Sequence, residues 1–283
     1  MIGKTPVRDL LSTSIDHLDA EVLLAHVLKK DRMWLRAHLD EPVATKDLAR
    51  YQSLVTRRKK QEPVAYLIGK KDFYGRSFIV TKHTLIPRPD TELLVERALA
   101  AQGDVYWDVG TGSGAIAVTL ACEQPRAAML ATDVSARALT VAKKNARAHG
   151  APVTFLKSNL LQPPAYRWLK KHRSDHLVIA ANLPYLPIAD KKILAKDVTA
   201  YEPSSALFSG ADGLALIRRF LGQLARHIPE WGYARVTLFL EFDPPQVKTL
   251  RAILKKIFPQ SAVVIHQDLA GRNRVAELSM TRA

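Results

Sequence analysis

Val105-Tyr106-Trp107-Asp108-Val109-Gly110-Thr111-Gly112-Ser113-Gly114-Ala115 is the stretch on which the fold turns. A short apolar run of strand-forming residues gives way to a glycine loop, and Ala115 to Ala121 then begins a helix. A strand, a glycine turn and a helix N-terminus together let backbone come close to a ligand. Downstream, the same alternation repeats. Ala128 to Asp133 is a second strand ending in an acid, Ser135 caps the helix after it, and Gly150 closes that helix. Val153 to Leu156 and Leu177 to Ala181 are the third and fourth strands. Asp212 is placed to cap a helix from Gly213 to His227, and Arg235 to Phe242 is a fifth strand. Asp243-Pro244-Pro245 opens another helix, with proline where a first turn tolerates it. Ala262 to His266 and Arg274 to Leu278 pair as a hairpin around Asp268 to Arg272. This alternation predicts an α/β fold: a doubly wound, Rossmann-like sheet with an antiparallel C-terminal hairpin.

Upstream of the loop the period is helical. Asp19 to Leu28 repeats apolar residues at helical spacing with Asp19 as the expected N-cap, and a second helix runs from Thr45 into Arg57-Arg58-Lys59-Lys60. That basic run suits a helix C-terminus, or a contact with an anionic partner. Glu62-Pro63 is expected to end the helical region. From Ala65 to Leu85 the pattern becomes β-like, with Gly75 as the turn of a hairpin. Leu85-Ile86-Pro87-Arg88-Pro89-Asp90-Thr91-Glu92 is a stiff double-proline segment, in which Asp90 or Thr91 is expected to cap the helix starting at Glu92. The expected domains are 1–70, helical; 71–92, a β-hairpin linker; and 93–283, the sheet.

Composition narrows the class. With 283 residues, 47% hydrophobic and 24% charged, the chain is that of a globular protein with a sizeable core. No apolar run approaches the roughly 20 residues of a membrane span, and Met1 to Leu11 lacks the apolar stretch of a secretory signal. Cys122 is the single cysteine, which points to a reducing, cytoplasmic setting and a packed helix residue. The net charge of +15 suits polyanions or acidic partners, and equally a basic solvated surface.

Gly110-x-Gly112-x-x-Ala115 satisfies the dinucleotide fingerprint, and Asp133 at the end of the next strand suits a pair of ribose hydroxyls. Three features favour S-adenosylmethionine over a nicotinamide dinucleotide. Asp108 is expected to face the space of a pyrophosphate, which it would repel, whereas it would suit an ammonium group. The third glycine falls at Gly114. After the fourth strand stands Asn182-Leu183-Pro184-Tyr185, where a hydride-transfer enzyme would need an acid or base. Asn182 offers a neutral acceptor for an NH2 group, and the Leu183 carbonyl is the natural second acceptor. Pro184 stiffens the turn, and Tyr185 is expected to flank a planar substrate.

Asn182-Leu183-Pro184-Tyr185 resembles the Asn-Pro-Pro-Tyr motif of methyltransferases that act on glutamine, adenine or cytosine amino groups. Glu62-Pro63-Val64-Ala65-Tyr66-Leu67-Ile68-Gly69, Phe73-Tyr74-Gly75 and Ile86-Pro87-Arg88-Pro89-Asp90-Thr91-Glu92 resemble the release-factor glutamine methyltransferase family. So do Tyr201-Glu202-Pro203 and Gly210-Ala211-Asp212-Gly213-Leu214. The resemblance implies methyl transfer from S-adenosylmethionine, leaving S-adenosylhomocysteine. The acceptor is the glutamine of the Gly-Gly-Gln loop of peptide chain release factors, and the helical domain recognises the substrate. It further implies that Asp108, Gly110, Thr111, Gly112, Ser113, Gly114 and Asp133 hold the donor, with Asn159 and Leu160 beside the adenine. Asn182 would touch donor and substrate, the glutamine would lie against Asn182, Leu183, Pro184 and Tyr185, and Arg88 and Pro89 would stand near the entrance. Leu183 replaces the usual first proline. A monomer is expected, with no membrane and no required nucleic acid. An adenine-N6 methyltransferase acting on RNA or DNA is the alternative enzyme, since Asn-Leu-Pro-Tyr also looks like ribosomal-RNA adenine dimethylases. A catalytically idle module that binds ribosomes or RNA is the alternative from another class.

Overall fold

The computed structural model describes residues 5–12 and 15–281. The chain falls into two compact units, residues 1–70 with 195–201 and residues 71–194 with 202–283.

The first unit is helical: α1 (Val7–Leu11), α2 (His17–Leu28), α3 (Arg32–Ala37), α4 (Thr45–Lys59), α5 (Val64–Ile68) and, later in the chain, α10 (Lys196–Tyr201). Leu23, Leu24, Leu35 and Tyr51 are its buried centre, and the Tyr51 hydroxyl donates to the Leu10 carbonyl at 2.7 Å. Two local expectations fail here. The N-cap of α2 is Asp16, whose carboxylate accepts from the Leu18 and Asp19 N–H groups at 2.9 and 3.3 Å. Asp19 instead pairs with Arg58 at 2.6 Å, a partner 39 residues away that local pattern does not reveal. Glu62-Pro63 does not end the helical region either. Pro63 stands at the N-cap of α5, whose apolar residues pack on the same core, and Gly69 closes it at φ 73°. Of the basic run, Arg57 is taken up by Glu62 at 2.5 Å and Arg58 by Asp19, so these two serve the fold.

Glu21, its side chain 2% exposed, accepts from Arg32 at 2.5 Å and Arg36 at 3.1 Å. The Arg36 hydrogen bond, with Arg32 behind it, holds this carboxyl below its ordinary value of 4.5 despite its burial. A depressed carboxylate stabilises the fold above its unfolded pKa and loses that contribution as pH falls through the folded value. The thermal midpoint of the wild type therefore falls more steeply below about pH 4.5 than that of Glu21→Gln, measured by circular dichroism across pH 2.5–7. Parallel curves would show that the cluster carries no such coupling.

Next in the chain comes the hairpin of β1 (Lys70–Phe73) and β2 (Arg76–Ile79), turned at Tyr74-Gly75, both at positive φ as a two-residue I′ turn requires. The main sheet has seven strands. They are β3 (Val105–Val109), β4 (Ala128–Asp133), β5 (Thr154–Lys157), β6 (His176–Ala181), β7 (Arg235–Glu241), β8 (Ala262–Gln267) and β9 (Asn273–Thr281), in spatial order β5-β4-β3-β6-β7-β9-β8. β3 to β7 pair in parallel, and β9 runs antiparallel between β7 and β8. The Rossmann-like sheet and its antiparallel hairpin are as expected.

Side-chain alternation on β3 assigns the two faces. Tyr106 looks into the layer of α6 (Glu92–Ala100), α7 (Ala115–Glu123) and α8 (Ala136–Ala148). Val105, Trp107 and Val109 look into that of α9 (Pro163–Lys171), α11 (Ala215–Trp231) and α12 (Val247–Ile257). Every residue of β3 and β6 is buried, as strands covered on both faces must be. The helix α9 has no counterpart in the reading of the sequence; Pro163-Pro164 occupies its first turn, as Pro244-Pro245 does ahead of α12. The helix α11 continues beyond His227 to the fully buried Trp231. Strand order reverses between β3 and β6, and the carboxyl ends there form the crevice where doubly wound sheets bind ligands.

Candidate active site

At that crevice lies a cavity of about 350 Å³, within the size range of small-molecule sites. Gly110, Thr111, Gly112 and Ser113 line one wall, Asp133 a second, Ser158, Asn159 and Leu160 a third, and Asn182, Leu183 and Pro184 a fourth, with Arg88 on the 85–91 segment. The structure thus gathers most of the expected residues from five separate segments.

The loop is held from below. Gly110 and Thr111 N–H groups both donate to the Thr132 carbonyl at 2.9 Å, and Gly112 N–H donates to Asp133 Oδ2 at 2.9 Å. Asp133 Oδ1 accepts from Ser135 N–H at 2.7 Å, so its carboxylate is fixed at the cavity edge with lone pairs to spare. Burial raises its pKa, and the Ser135 and Gly112 N–H groups oppose that. Gly110 and Gly112 sit at φ 78° and 56°, where glycine alone is unstrained. Leu160 also adopts positive φ, 57°, at the cavity wall, a costly conformation for a branched side chain and one that concentrates at binding sites.

Four expected site residues stand elsewhere. Asp108 does not face the cavity. It is fully buried under the loop, where its Oδ2 accepts from the Thr111 hydroxyl at 2.6 Å and Ala117 N–H at 3.2 Å, and burial pushes its carboxyl up to about 7. Its short side chain, ending a buried strand, reaches the loop's own donors first. Gly114 is a packing position: a Cβ there would come within 3.1 Å of Ala142 on α8. Pro89 lies off the cavity in the turn 89–91. Tyr185 packs its ring against the core, and its hydroxyl donates to Glu241 Oε1 at 3.0 Å, so no planar face is offered to the cavity. Burial, with the Glu241 carboxylate beside it, lifts that phenol well above 10.

Asn182 stands on the cavity wall. Its Nδ2 donates to Thr91 Oγ1 at 3.1 Å, and among the described residues nothing donates to its Oδ1. Leu183 buries its side chain against Gly110, where a Cβ would meet Leu183 Cδ2 at 3.2 Å, so the leucine wedges the two loops together.

Residues to which the sequence assigned no role carry the support. Asn145, fully buried on α8, donates to the carbonyls of Ser113 (2.8 Å) and Ile79 (2.9 Å) and accepts from Ile79 N–H (2.8 Å), tying loop to hairpin. Glu202 accepts from Ile86 N–H at 3.0 Å and pairs with Arg88. Gln246 donates to the carbonyls of Tyr185 (2.7 Å) and Asp212 (2.9 Å). Neither Asp90 nor Thr91 caps α6: Asp90 pairs with Arg274 at 2.9 Å, and the Thr91 side chain meets Asn182. Asp212 does not cap α11 either: the helix starts at Ala215 with Leu214 at its N-cap, and the Asp212 carboxylate accepts from Leu214 N–H at 3.1 Å just ahead of it.

Comparison with known proteins adds to this geometry. The family model of the PrmC N-terminal domain matches residues 8–69, and that of the methyltransferase small domain matches residues 88–179. A release factor glutamine methyltransferase of Xylella fastidiosa (strain Temecula1) is 42% identical over 267 residues, which is 92% of this chain and 92% of that protein. That of Bordetella pertussis is 38% identical over 278 residues, covering 96% of this chain and 98% of its own. In structure, the catalytic domain of hMettl16 in complex with MAT2A 3'UTR hairpin 1 superimposes with a TM-score of 0.55 at 14% identity, over 87% of this chain and 84% of that one. This last likeness is one of fold. Among the described residues, no helix is long and apolar enough to cross a membrane.

Proposed function

As a member of the release factor glutamine methyltransferase family, this chain is a methyltransferase, and we propose that it methylates the side-chain amide nitrogen of the glutamine in the Gly-Gly-Gln loop of peptide chain release factors. The observation that carries this reading is the Asn182 amide, with its nitrogen engaged by Thr91 and its oxygen left as an acceptor on the cavity wall.

The residues present fit S-adenosylmethionine as methyl donor. Gly110 and Gly112 give the close backbone approach that a nucleoside needs, and Asp133 keeps free lone pairs for its ribose hydroxyls. The Asn159–Leu160 turn supplies a wall for the adenine. When bound, that donor supplies an electrophilic methyl group on a sulfonium. The chain's own residues do the rest by positioning. An amide nitrogen is a weak nucleophile because its lone pair is delocalised into the carbonyl. Asn182 Oδ1 and the Leu183 carbonyl accept its two N–H groups, which orients the lone pair. Those bonds strengthen as positive charge develops on the nitrogen, and both acceptors are neutral and fixed before the reaction. Pro184 limits the freedom of the turn that carries them. Arg88, held by Glu202, borders the opening of the cavity, and Tyr185 anchors the motif from behind.

The test incubates the protein with labelled donor, a release factor, total RNA and DNA. Label enters the release factor, and a Gln→Ala change in its Gly-Gly-Gln loop removes it. Label in RNA alone would replace this substrate with the adenine reading. Asp133→Ala raises the donor KM by roughly tenfold or more, the loss of a charged acceptor for hydroxyl groups being worth about 1.5–3 kcal/mol. An unchanged KM would remove Asp133 from the donor site.

A further inference from the structure

An adenine ring is flat and apolar on both faces, and proteins cover such a face with an aromatic ring or a guanidinium plane. Two segments come together at the end of the cavity next to Asp133. β4 and β5 end side by side, with Asp133 in register with Lys157 and Ser158 N–H donating to the Asp133 carbonyl at 3.0 Å. Residues 133–138 and 158–160 therefore frame the space beside Asp133, and Val134, Arg137, Asn159 and Leu160 all line the cavity. Neither segment carries an aromatic residue. Val134 is 57% exposed, an apolar side chain that a bound base would cover.

Arg137 is out of place there as a helix residue. α8 starts at Ala136, the Ser135 side chain accepts from Ala138 N–H at 3.1 Å, and the first turn holds no acid. A cation in that turn meets the positive end of the helix dipole, which disfavours it. No ion pair compensates. Asp133, the one carboxylate lining the cavity among the described residues, has its two oxygens on the Ser135 and Gly112 N–H groups. Among the described residues Arg137 has no ion-pair or hydrogen-bond partner, and its side chain is exposed, so core packing does not account for it either. What its guanidinium brings to the cavity is a flat, weakly hydrated face.

We propose that Arg137 lays its guanidinium plane on the adenine of the methyl donor, in place of the aromatic residue that these segments lack. This rests on the donor reading above, in which Asp133 takes the ribose and the base lies along Asn159 and Leu160. Leu160 gives the base an apolar wall, and Arg137 shields it from water. Two rings do line the cavity. Phe73 is packed in the core at 2% exposure, which leaves His83, on the segment after β2, as the competitor for the same role.

The test is calorimetric titration with S-adenosylhomocysteine, the unreactive product, and with methylthioadenosine, which keeps base and ribose but has no amino-acid end. Wild type is compared with Arg137→Ala, Arg137→Lys, Arg137→Tyr and His83→Ala, with the thermal midpoint of each ligand-free protein alongside. Arg137→Ala weakens both ligands by about tenfold, the scale of a desolvated cation–π contact. Arg137→Tyr regains most of that affinity, whereas Arg137→Lys, which keeps the charge without the plane, does not. His83→Ala stays close to wild type. The ligand-free Arg137→Ala protein melts no lower than wild type, because a cation has left the helix N-terminus. Wild-type affinity in Arg137→Ala, full recovery by lysine, or a tyrosine variant no better than alanine overturns the stacking role. A loss confined to S-adenosylhomocysteine overturns it too, by moving Arg137 to the donor's carboxylate, and a loss in His83→Ala alone moves the base to the imidazole. A wild type that binds neither ligand overturns the donor reading and this inference with it, whereas a failure of stacking alone leaves wild-type binding intact.

Discussion

An Asn182→Ala enzyme keeps its fold and donor affinity and methylates a release factor at least about 10²–10³-fold more slowly than wild type, the loss expected when one fixed transition-state contact is removed. The fold survives because the Asn182 side chain contributes, among the described residues, one hydrogen bond, to Thr91. The acceptor amide loses a fixed partner for one N–H and with it the orientation of its lone pair. Single-turnover methylation at saturating donor, with circular dichroism as a control for folding, measures the effect. Full activity in this variant would remove Asn182 from the mechanism.

The second large effect is remote from any ligand. Gly213→Ala destabilises the protein by on the order of 3–5 kcal/mol, in the range reserved for severe backbone and packing clashes. Gly213 has φ 78°, and a Cβ there would lie 1.9 Å from the Tyr185 carbonyl oxygen and 2.6 Å from Gln246 Nε2. Neither neighbour can step aside, because Gln246 Nε2 already donates to that same carbonyl at 2.7 Å and to Asp212 O at 2.9 Å. The substitution therefore pushes on the turn that carries Asn182 and Leu183, so activity falls with stability. Gly75→Ala is the matched control. It has φ 69° but nothing within 4 Å of its Cβ, so only the left-handed strain of about 1–2 kcal/mol applies. Equal urea midpoints for the two variants would show that the contact at Gly213 is unimportant.

Both predictions start from residues that stand out in the sequence, but for different reasons. Asn182 is legible because it follows an apolar strand and precedes Pro184 and Tyr185. Gly213 is only a glycine near a helix start until Tyr185 is brought against it. The same division explains the corrections. Asp19 and Thr91 both look like helix caps, since short polar side chains before apolar periods usually are. In the folded chain each is claimed by a distant partner, Arg58 for Asp19 and Asn182 for Thr91, 39 and 91 residues away. Their neighbours in the chain place Asp108 and Tyr185 at the cavity. Each points instead into the layer behind it, Asp108 to Thr111 and Tyr185 to Glu241.

The sequence by itself determined the Rossmann-like sheet, the glycine loop, Asp133 at the end of the second strand and the place of Asn182. These rest on periodicity, on glycine's access to positive φ and on residue type, all of which are local. Only the tertiary structure decided what holds those groups in position: Asn145 under the loop, Gln246 behind the motif turn, Glu202 on the Arg88 segment, Thr91 against Asn182 and Glu241 against Tyr185. The hydrogen bonds that join Gln246 to Tyr185 and Asp212, Glu202 to Ile86, and Glu241 to Tyr185 span 34 to 116 residues. A polar side chain buried by long-range folding must find its partner wherever the fold brings one, and the order of residues around it carries no record of which partner that is.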